Sequence, residues 1–66
     1  GMPLVRPLGD GLWELRSVID KGIARVLFTF YQNKIVLLHG FIKKSTKTPK
    51  GDLGLARKRK AAFKKG

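Results

Sequence analysis

Residues 23–44 read IARVLFTFYQNKIVLLHGFIKK, and they decide the fold because two strand patterns follow each other directly. The first, residues 23–31, is rich in β-branched and aromatic residues that alternate between two faces. The polar pair Gln32-Asn33 separates it from residues 34–44, and asparagine tolerates the positive φ of a tight turn. The stretch therefore predicts an antiparallel hairpin. Its second strand has apolar residues on both faces, which is typical of a central, covered strand.

The segments before the hairpin extend this pattern. Residues 11–17, GLWELRS, also alternate, and they predict a strand that reaches the hairpin through a turn at residues 18–22. Residues 1–10 contain two prolines and a Gly-Asp pair, so we expect an extended N-terminal arm. Residues 11–66 are then expected to form a single domain.

The segment after the hairpin predicts a basic helix. Thr48 precedes Pro49, which suits an N-cap residue followed by proline at the first helical position. The apolar residues that recur at helical spacing up to about residue 64 are Leu53, Ala56 and Phe63. The expected fold class is therefore α+β, with a three-stranded antiparallel meander followed by one C-terminal basic helix.

This arrangement leaves one face of the sheet without a cover. Strict alternation along residues 34–44 places Ile35, Leu37, His39 and Phe41 on one side of the strand, and Val36, Leu38 and Ile42 on the other. The face expected to stay uncovered carries Leu12, Leu27, Leu38 and Ile42. Because a chain of 66 residues without cysteine has a small core and no disulfide, we expect a homodimer that covers this face.

Positive charge is concentrated in the last third of the chain. Residues 1–42 hold five Lys/Arg and three acidic residues, whereas residues 43–66 hold ten Lys/Arg and Asp52 alone. Such asymmetry indicates a polyanionic partner, although a solvated tail that keeps a small protein in solution is the alternative. The residues expected to bind RNA are Lys47, Lys50, Arg57, Lys58, Arg59 and Lys60.

The same composition argues against several other classes of protein. One histidine and four scattered acidic residues make no metal-ligand set, so neither a metal nor another cofactor is expected. No apolar run has the length of a membrane span, and no signal-peptide pattern is present. We therefore expect a cytoplasmic protein with no membrane partner.

Four blocks of the sequence carry a family resemblance. They are residues 8–16 (LGDGLWELR), residues 25–28 (RVLF), residues 37–49 (LLHGFIKKSTKTP) and residues 56–59 (ARKR). In order and spacing they resemble the phage-derived, HigB-like toxins of the RelE/ParE superfamily. An N-terminal helical hairpin found in that family is missing from this chain, so the resemblance predicts a truncated form.

The resemblance implies the toxin of a type II toxin–antitoxin pair, inhibited by a helix-turn-helix antitoxin. Such toxins are ribosome-associated endoribonucleases that cleave translated mRNA without a metal, with a 2′-hydroxyl as nucleophile and basic side chains around the scissile phosphate. Whether this chain cleaves RNA stays open. The alternatives are a non-catalytic module that binds RNA or DNA, and a subunit that only binds the antitoxin.

Candidate catalytic residues follow from the matching positions. Arg16 and Arg25 match arginines of the family's central strands, and Lys43 and Lys44 match a basic pair that leaves the third strand. Arg25 is the preferred phosphate ligand, because a guanidinium can hold two phosphate oxygens at once. Arg16 has an ordinary alternative, which is an ion pair with Glu14 or Asp10 at the surface.

His39 is the fifth candidate. It is the only histidine, and imidazole is the side-chain type that exchanges protons near neutral pH. The alternative is that His39 is a packed residue beside Leu37 and Phe41. The sequence alone leaves these two roles open.

Overall fold

The computed structural model describes residues 3–65. The first two residues of the predicted arm and Gly66 lie outside this range. The elements are β1 (Leu4–Gly9), β2 (Leu12–Ile19), β3 (Gly22–Tyr31), β4 (Lys34–Lys43) and α1 (Lys50–Lys65). The strands form an antiparallel sheet in the order β1-β2-β3-β4. The prediction of a three-stranded meander is therefore wrong, since the sheet has four strands before the helix.

The additional strand is β1, in the segment predicted to be an extended arm. Its residues pair with β2 from Leu4 opposite Arg16 to Gly9 opposite Leu12, with a bulge after Pro7. The turn that follows has positive φ at Gly9, Asp10 and Gly11, and glycine reaches such angles without steric cost. Proline is tolerated here because β1 is an edge strand, where one side of the backbone has no partner strand.

The two later turns are short. β2 continues to Ile19, so the turn before β3 is shorter than the predicted residues 18–22. Gly22 has φ +145°, and a Cβ added there would lie 3.0 Å from the carbonyl oxygen of Lys43, so the close approach of β4 requires glycine. The hairpin predicted at Gln32 and Asn33 is present, with φ values of 49° and 64°, as in a two-residue type I′ turn.

A bulge in β4 changes which side chains share a face. His39 lies opposite Leu27 and Leu37 lies opposite Phe28, so Leu38 is one extra residue on β4. From this point onward, the alternation of β4 side chains between the two faces of the sheet is shifted by one residue. The prediction that Leu37 shares a face with His39 is therefore wrong. β4 is also an edge strand instead of the central, covered strand that was expected.

Helix α1 packs on one face of the sheet and forms the core there. The fully or nearly fully buried apolar residues of this core are Leu12, Leu27, Leu38 and Ala56. The prediction that Leu12, Leu27 and Leu38 lie on an uncovered face is wrong, because α1 covers them. Only the fourth member of that set, Ile42, is exposed, at 53%.

The start of α1 also differs from the prediction. The amide of Leu53 donates to the carbonyl oxygen of Pro49 at 2.9 Å, and the helix begins at Lys50. Pro49 thus occupies the N-cap position that was assigned to Thr48. The Thr48 hydroxyl donates to Glu14 instead, so the loop before the helix is attached to β2. Among residues 3–65, the helix α1 has neither the length nor the apolar composition of a membrane span.

The opposite face of the sheet, called the open face below, has no helix on it. Its exposed large apolar side chains are Val5, Ile19, Phe30, Ile35, Leu37 and Ile42. Phe30 makes edge-to-face contacts with Trp13 and Phe28, with ring centroids 5.9 and 5.7 Å apart. These contacts bury Phe28 within the face. The other side chains of the open face remain accessible.

Candidate nucleic-acid interface

The loop before α1 and the first turn of α1 bring an acidic residue to the helix-covered face of β4. Nε2 of His39 lies 2.7 Å from Oδ1 of Asp52, and Nζ of Lys43 lies 2.8 Å from Oδ2 of the same carboxylate. The hydrogen bond from Lys43, followed by that from His39, lowers the pKa of Asp52 despite its partial burial. The negative charge also suits the N-terminal end of a helix. We call His39, Lys43 and Asp52 the His–Asp–Lys cluster.

The geometry of this cluster fixes the tautomer of neutral His39. An ionised carboxylate only accepts hydrogen bonds, so Nε2 of His39 must donate to Asp52. Nδ1 then carries the lone pair. The ring stacks on Phe41 with centroids 5.1 Å apart and planes 23° from parallel. His39 is thus both packed against Phe41, as one alternative held, and equipped with a basic nitrogen, while Leu37 lies on the opposite face.

A second cluster surrounds the buried carboxylate of Glu14 on β2. Nε of Arg6 and Nε of Arg16 donate to Oε1 at 3.1 and 2.9 Å, and the hydroxyl of Thr48 donates to Oε2. Burial by itself would raise the pKa of Glu14, but hydrogen bonds from Thr48, Arg16 and Arg6 outweigh it and hold the pKa below its ordinary value. Arg16 therefore makes the ion pair that was its alternative to a catalytic role.

Arg25 lies inside the molecule. The residue is 1% exposed, its Nε is 3.6 Å from Oε2 of Glu14, and Nη2 donates to the carbonyl oxygen of Ser45. Its guanidinium also lies 5.7 Å from the centre of the Phe41 ring. Burial, followed by the charge of Arg16, lowers the pKa of Arg25. In this conformation a phosphate on the surface does not reach Arg25, so its proposed role as phosphate ligand stays a prediction.

The residues predicted to bind RNA lie along the loop and helix, but they do not share one environment. Lys47, Lys50 and Lys58 are exposed, as is the neighbouring catalytic candidate Lys44. Three others make contacts with the sheet: Arg57 pairs with Asp10 at 3.2 Å, Arg59 donates to the carbonyl oxygen of Leu38 at 2.8 Å, and Lys60 extends over Gly11. The basic surface therefore consists of exposed lysines beside side chains that hold α1 on the sheet.

The two acidic residues of these clusters were not among the predicted site residues. Asp52 is one, and its signal was its place in the first turn of the predicted helix, where acidic residues are common. Glu14 is the other, and a charged residue in an otherwise alternating strand was the only sign of it. Residues 3–65 contain no group of three or more His, Asp or Glu side chains arranged to hold a metal ion, and they enclose no pocket.

The lowered carboxyl pKa values predict a loss of stability in acid. The ordinary pKa values are 4.5 for Glu14 and 3.8 for Asp52, and both are lowered in the folded protein. Between the lowered and the ordinary pKa values, the unfolded chain therefore binds more protons than the folded protein does. The stabilisation by these two carboxylates is complete above about pH 5 and is lost as the pH falls through the lowered values. Urea midpoints measured between neutral pH and about pH 2.5 should show this decline.

Asp52→Asn provides the control for the loss of stability in acid. This variant has no carboxyl group at position 52 of α1, so its stability should change less between neutral and acidic pH. A native protein whose urea midpoint is the same at both ends of the range would contradict the assignment.

One protein family matches this chain. The family model described as "Phage derived protein Gp49-like (DUF891)" matches residues 1–61. No curated protein and no solved structure matches the chain. The matched family is of the toxin–antitoxin-related, RelE/HigB-like type of phage-derived proteins. Because the match spans nearly the whole sequence, the chain belongs to the Gp49-like family of phage-derived proteins.

Proposed function

We propose that this protein is the toxin of a type II toxin–antitoxin pair. In this proposal it binds RNA through its basic loop and helix and cleaves the RNA with His39 as the general base. The observation that carries the proposal is the His–Asp–Lys cluster, in which a carboxylate orients the only imidazole next to an exposed basic surface. The family match supports the toxin-related part of the proposal. The ribosome, translated mRNA and a helix-turn-helix antitoxin are the proposed partners.

Electrostatics supports RNA as the ligand. Residues 43–66 hold ten Lys/Arg and one acidic residue, and that acidic residue is already paired with His39 and Lys43. A phosphate backbone near this surface would meet exposed lysines without acidic neighbours to compete for them. Each phosphate contact also releases counterions, which makes such binding favourable and strongly dependent on salt.

The proposed chemistry uses a ribose hydroxyl as nucleophile. Nδ1 of His39 takes the proton of a 2′-hydroxyl, and the oxygen attacks the adjacent phosphorus. The bond to the 5′-oxygen breaks and that oxygen takes a proton from water, which leaves a 2′,3′-cyclic phosphate and a 5′-hydroxyl. The hydroxide so formed then takes the proton held by His39. Asp52 stabilises the imidazolium that forms. Lys43, next to the imidazole, and the exposed Lys44 offset the extra negative charge on the phosphorus-bound oxygens.

A second candidate function is RNA binding without cleavage, or binding of an antitoxin alone. The observation that favours it is the placement of the predicted catalytic arginines. Arg25 is buried, and both Arg16 and Arg25 face the carboxylate of Glu14. In this reading the two arginines stabilise the sheet, and the exposed lysines supply all of the affinity for a polyanion.

RNA binding is tested by its dependence on salt. For single-stranded RNA the logarithm of the association constant should fall by about 0.7 per phosphate contact for each tenfold increase in salt. Lys50→Ala/Lys58→Ala should therefore reduce the magnitude of this slope by about 1.4. Fluorescence anisotropy with a labelled oligoribonucleotide across a salt series measures the slope directly.

The matched control is Lys21→Ala/Lys34→Ala, which removes two exposed lysines, one in the turn between β2 and β3 and one at the start of β4. It has the same net charge as the test variant but leaves the loop and helix intact. Equal losses in both variants would mean that only net charge matters. Absence of binding by the native protein in dilute buffer would refute the proposal. Cleavage is tested by expression in bacteria with mapping of mRNA 5′ ends.

A further inference from the structure

The open face of the sheet has no cover among residues 3–65, although α1 covers the opposite face. Its six exposed apolar side chains are 39–71% exposed. A contiguous apolar patch on a soluble protein marks an interaction surface. We propose that a second copy of the chain covers this face, so that the protein is a homodimer with its two sheets packed face to face. This inference does not depend on RNA binding or cleavage.

The absence of charge on the open face favours a second copy over a polar partner. None of the described residues that strand pairing places on this face is charged, although charged residues make up 29% of the whole sequence. A polyanion or an acidic peptide would find no ion pair there. The same face of another copy is also uncharged and largely apolar, and a two-fold axis brings identical patches together.

The area of the face is sufficient for a dimer. Side chains of this size, about half uncovered, each expose on the order of 80 Å². The six together then contribute about 500 Å² per copy, or about 1,000 Å² for two copies, which is the lower limit of a specific interface. Trp13, Leu15 and Val26, which lie on the same face and are half-buried, add to this area.

The high positive charge of the chain does not oppose this geometry. Packed sheets lie about 10 Å apart, and α1 lies on the far side of each sheet. The two basic helices would therefore be separated by about 30 Å, several Debye lengths at physiological salt. Each copy also keeps its loop and helix exposed to solvent. Face-to-face packing thus buries the uncharged side and leaves the charged sides apart.

Charge placed in the interface should separate the two copies. Leu37 on the open face is 71% exposed and Val18, on the helix-bearing side of β2, is 67% exposed, so Leu37→Glu and Val18→Glu are a matched pair. In sedimentation equilibrium, we expect the native protein to have twice the 7.4 kDa mass of one chain. Leu37→Glu should raise the dissociation constant at least about 100-fold, because the dimer would bury two unpaired carboxylates. Val18→Glu should leave the dissociation constant unchanged.

A native protein that is a monomer across the micromolar range would overturn the proposal. A dimer that is lost only in Val18→Glu would overturn it as well.

A measurement that leaves the interface intact covers the case in which Leu37→Glu does not fold. The chain contains no cysteine, so Lys58→Cys gives a single site for a spin label on the exposed side of α1. In the proposed dimer the two labels should be more than about 30 Å apart, given the sheet and helix layers between them. A distance below about 20 Å would place the helices in the interface and refute face-to-face packing.

Discussion

Replacing Glu14 with glutamine is expected to lower the free energy of unfolding by about 3–5 kcal/mol. Glu14 is fully buried, and its carboxylate is the anion nearest to the guanidinium of the buried Arg25. Without it, Arg25 becomes an uncompensated charge in the interior, and Arg6 and Arg16 lose their shared partner. Because a small domain is stable by only about 5–15 kcal/mol, this single change removes a large part of the total. Urea denaturation followed by circular dichroism measures the loss.

A double-mutant cycle separates this charge effect from packing. In Arg25→Met the positive charge is absent, so the further step to Glu14→Gln/Arg25→Met should cost much less than Glu14→Gln costs in the native background. Asp20→Asn, at an exposed position of the turn between β2 and β3, is the control and should change stability by no more than about 0.5 kcal/mol. A loss below about 1 kcal/mol in Glu14→Gln would show that the buried charges do not depend on one another.

His39→Gln is expected to reduce the rate of RNA cleavage by about 10²–10⁴-fold while leaving RNA affinity unchanged. Glutamine preserves a polar side chain that can contact Asp52, but it cannot take a proton from a ribose hydroxyl. Asp52→Asn should lower the rate less, because the imidazole remains but loses its orienting carboxylate. Single-turnover cleavage of a short RNA at saturating protein, with analysis of the product ends, measures both effects.

Asp20→Asn is again the control, and it should retain the native cleavage rate and the native product ends. A 2′,3′-cyclic phosphate on the 5′ fragment is the expected product of the native protein. If the native protein binds RNA but does not cleave it, the second candidate function is correct. If it cleaves RNA and His39→Gln cleaves equally fast, another residue is the base and the assignment of His39 is wrong.

Local pattern was sufficient for most of the secondary structure. The alternation in residues 11–17 predicted β2, and that in residues 23–31 predicted β3. The pair Gln32-Asn33 predicted the hairpin turn between β3 and β4, and Pro49 lies within one residue of the start of α1. These features depend on residues close together in the chain. The uneven distribution of charge is likewise a property of the sequence itself, and it was the reason to expect a polyanionic partner.

The sequence pattern was insufficient for β1. Two prolines in residues 1–10 argue for an irregular segment, and proline lacks the amide that a central strand would use. β1 forms because its position at the edge of the sheet requires hydrogen bonds on one side only. That position is a property of the assembled sheet, so propensity within the segment could not reveal it.

What the sequence by itself determined was the order of β2, β3, β4 and α1 and the basic character of the C-terminal third. Only the tertiary structure decided which face α1 covers. The more apolar face, with Trp13 and Phe28, stays open, and α1 covers the face that contains Glu14 and Arg25. The physical reason is that buried charges must have partners. The loop before α1 supplies them through Thr48 and Ser45, and these contacts hold the helix on the polar side of the sheet.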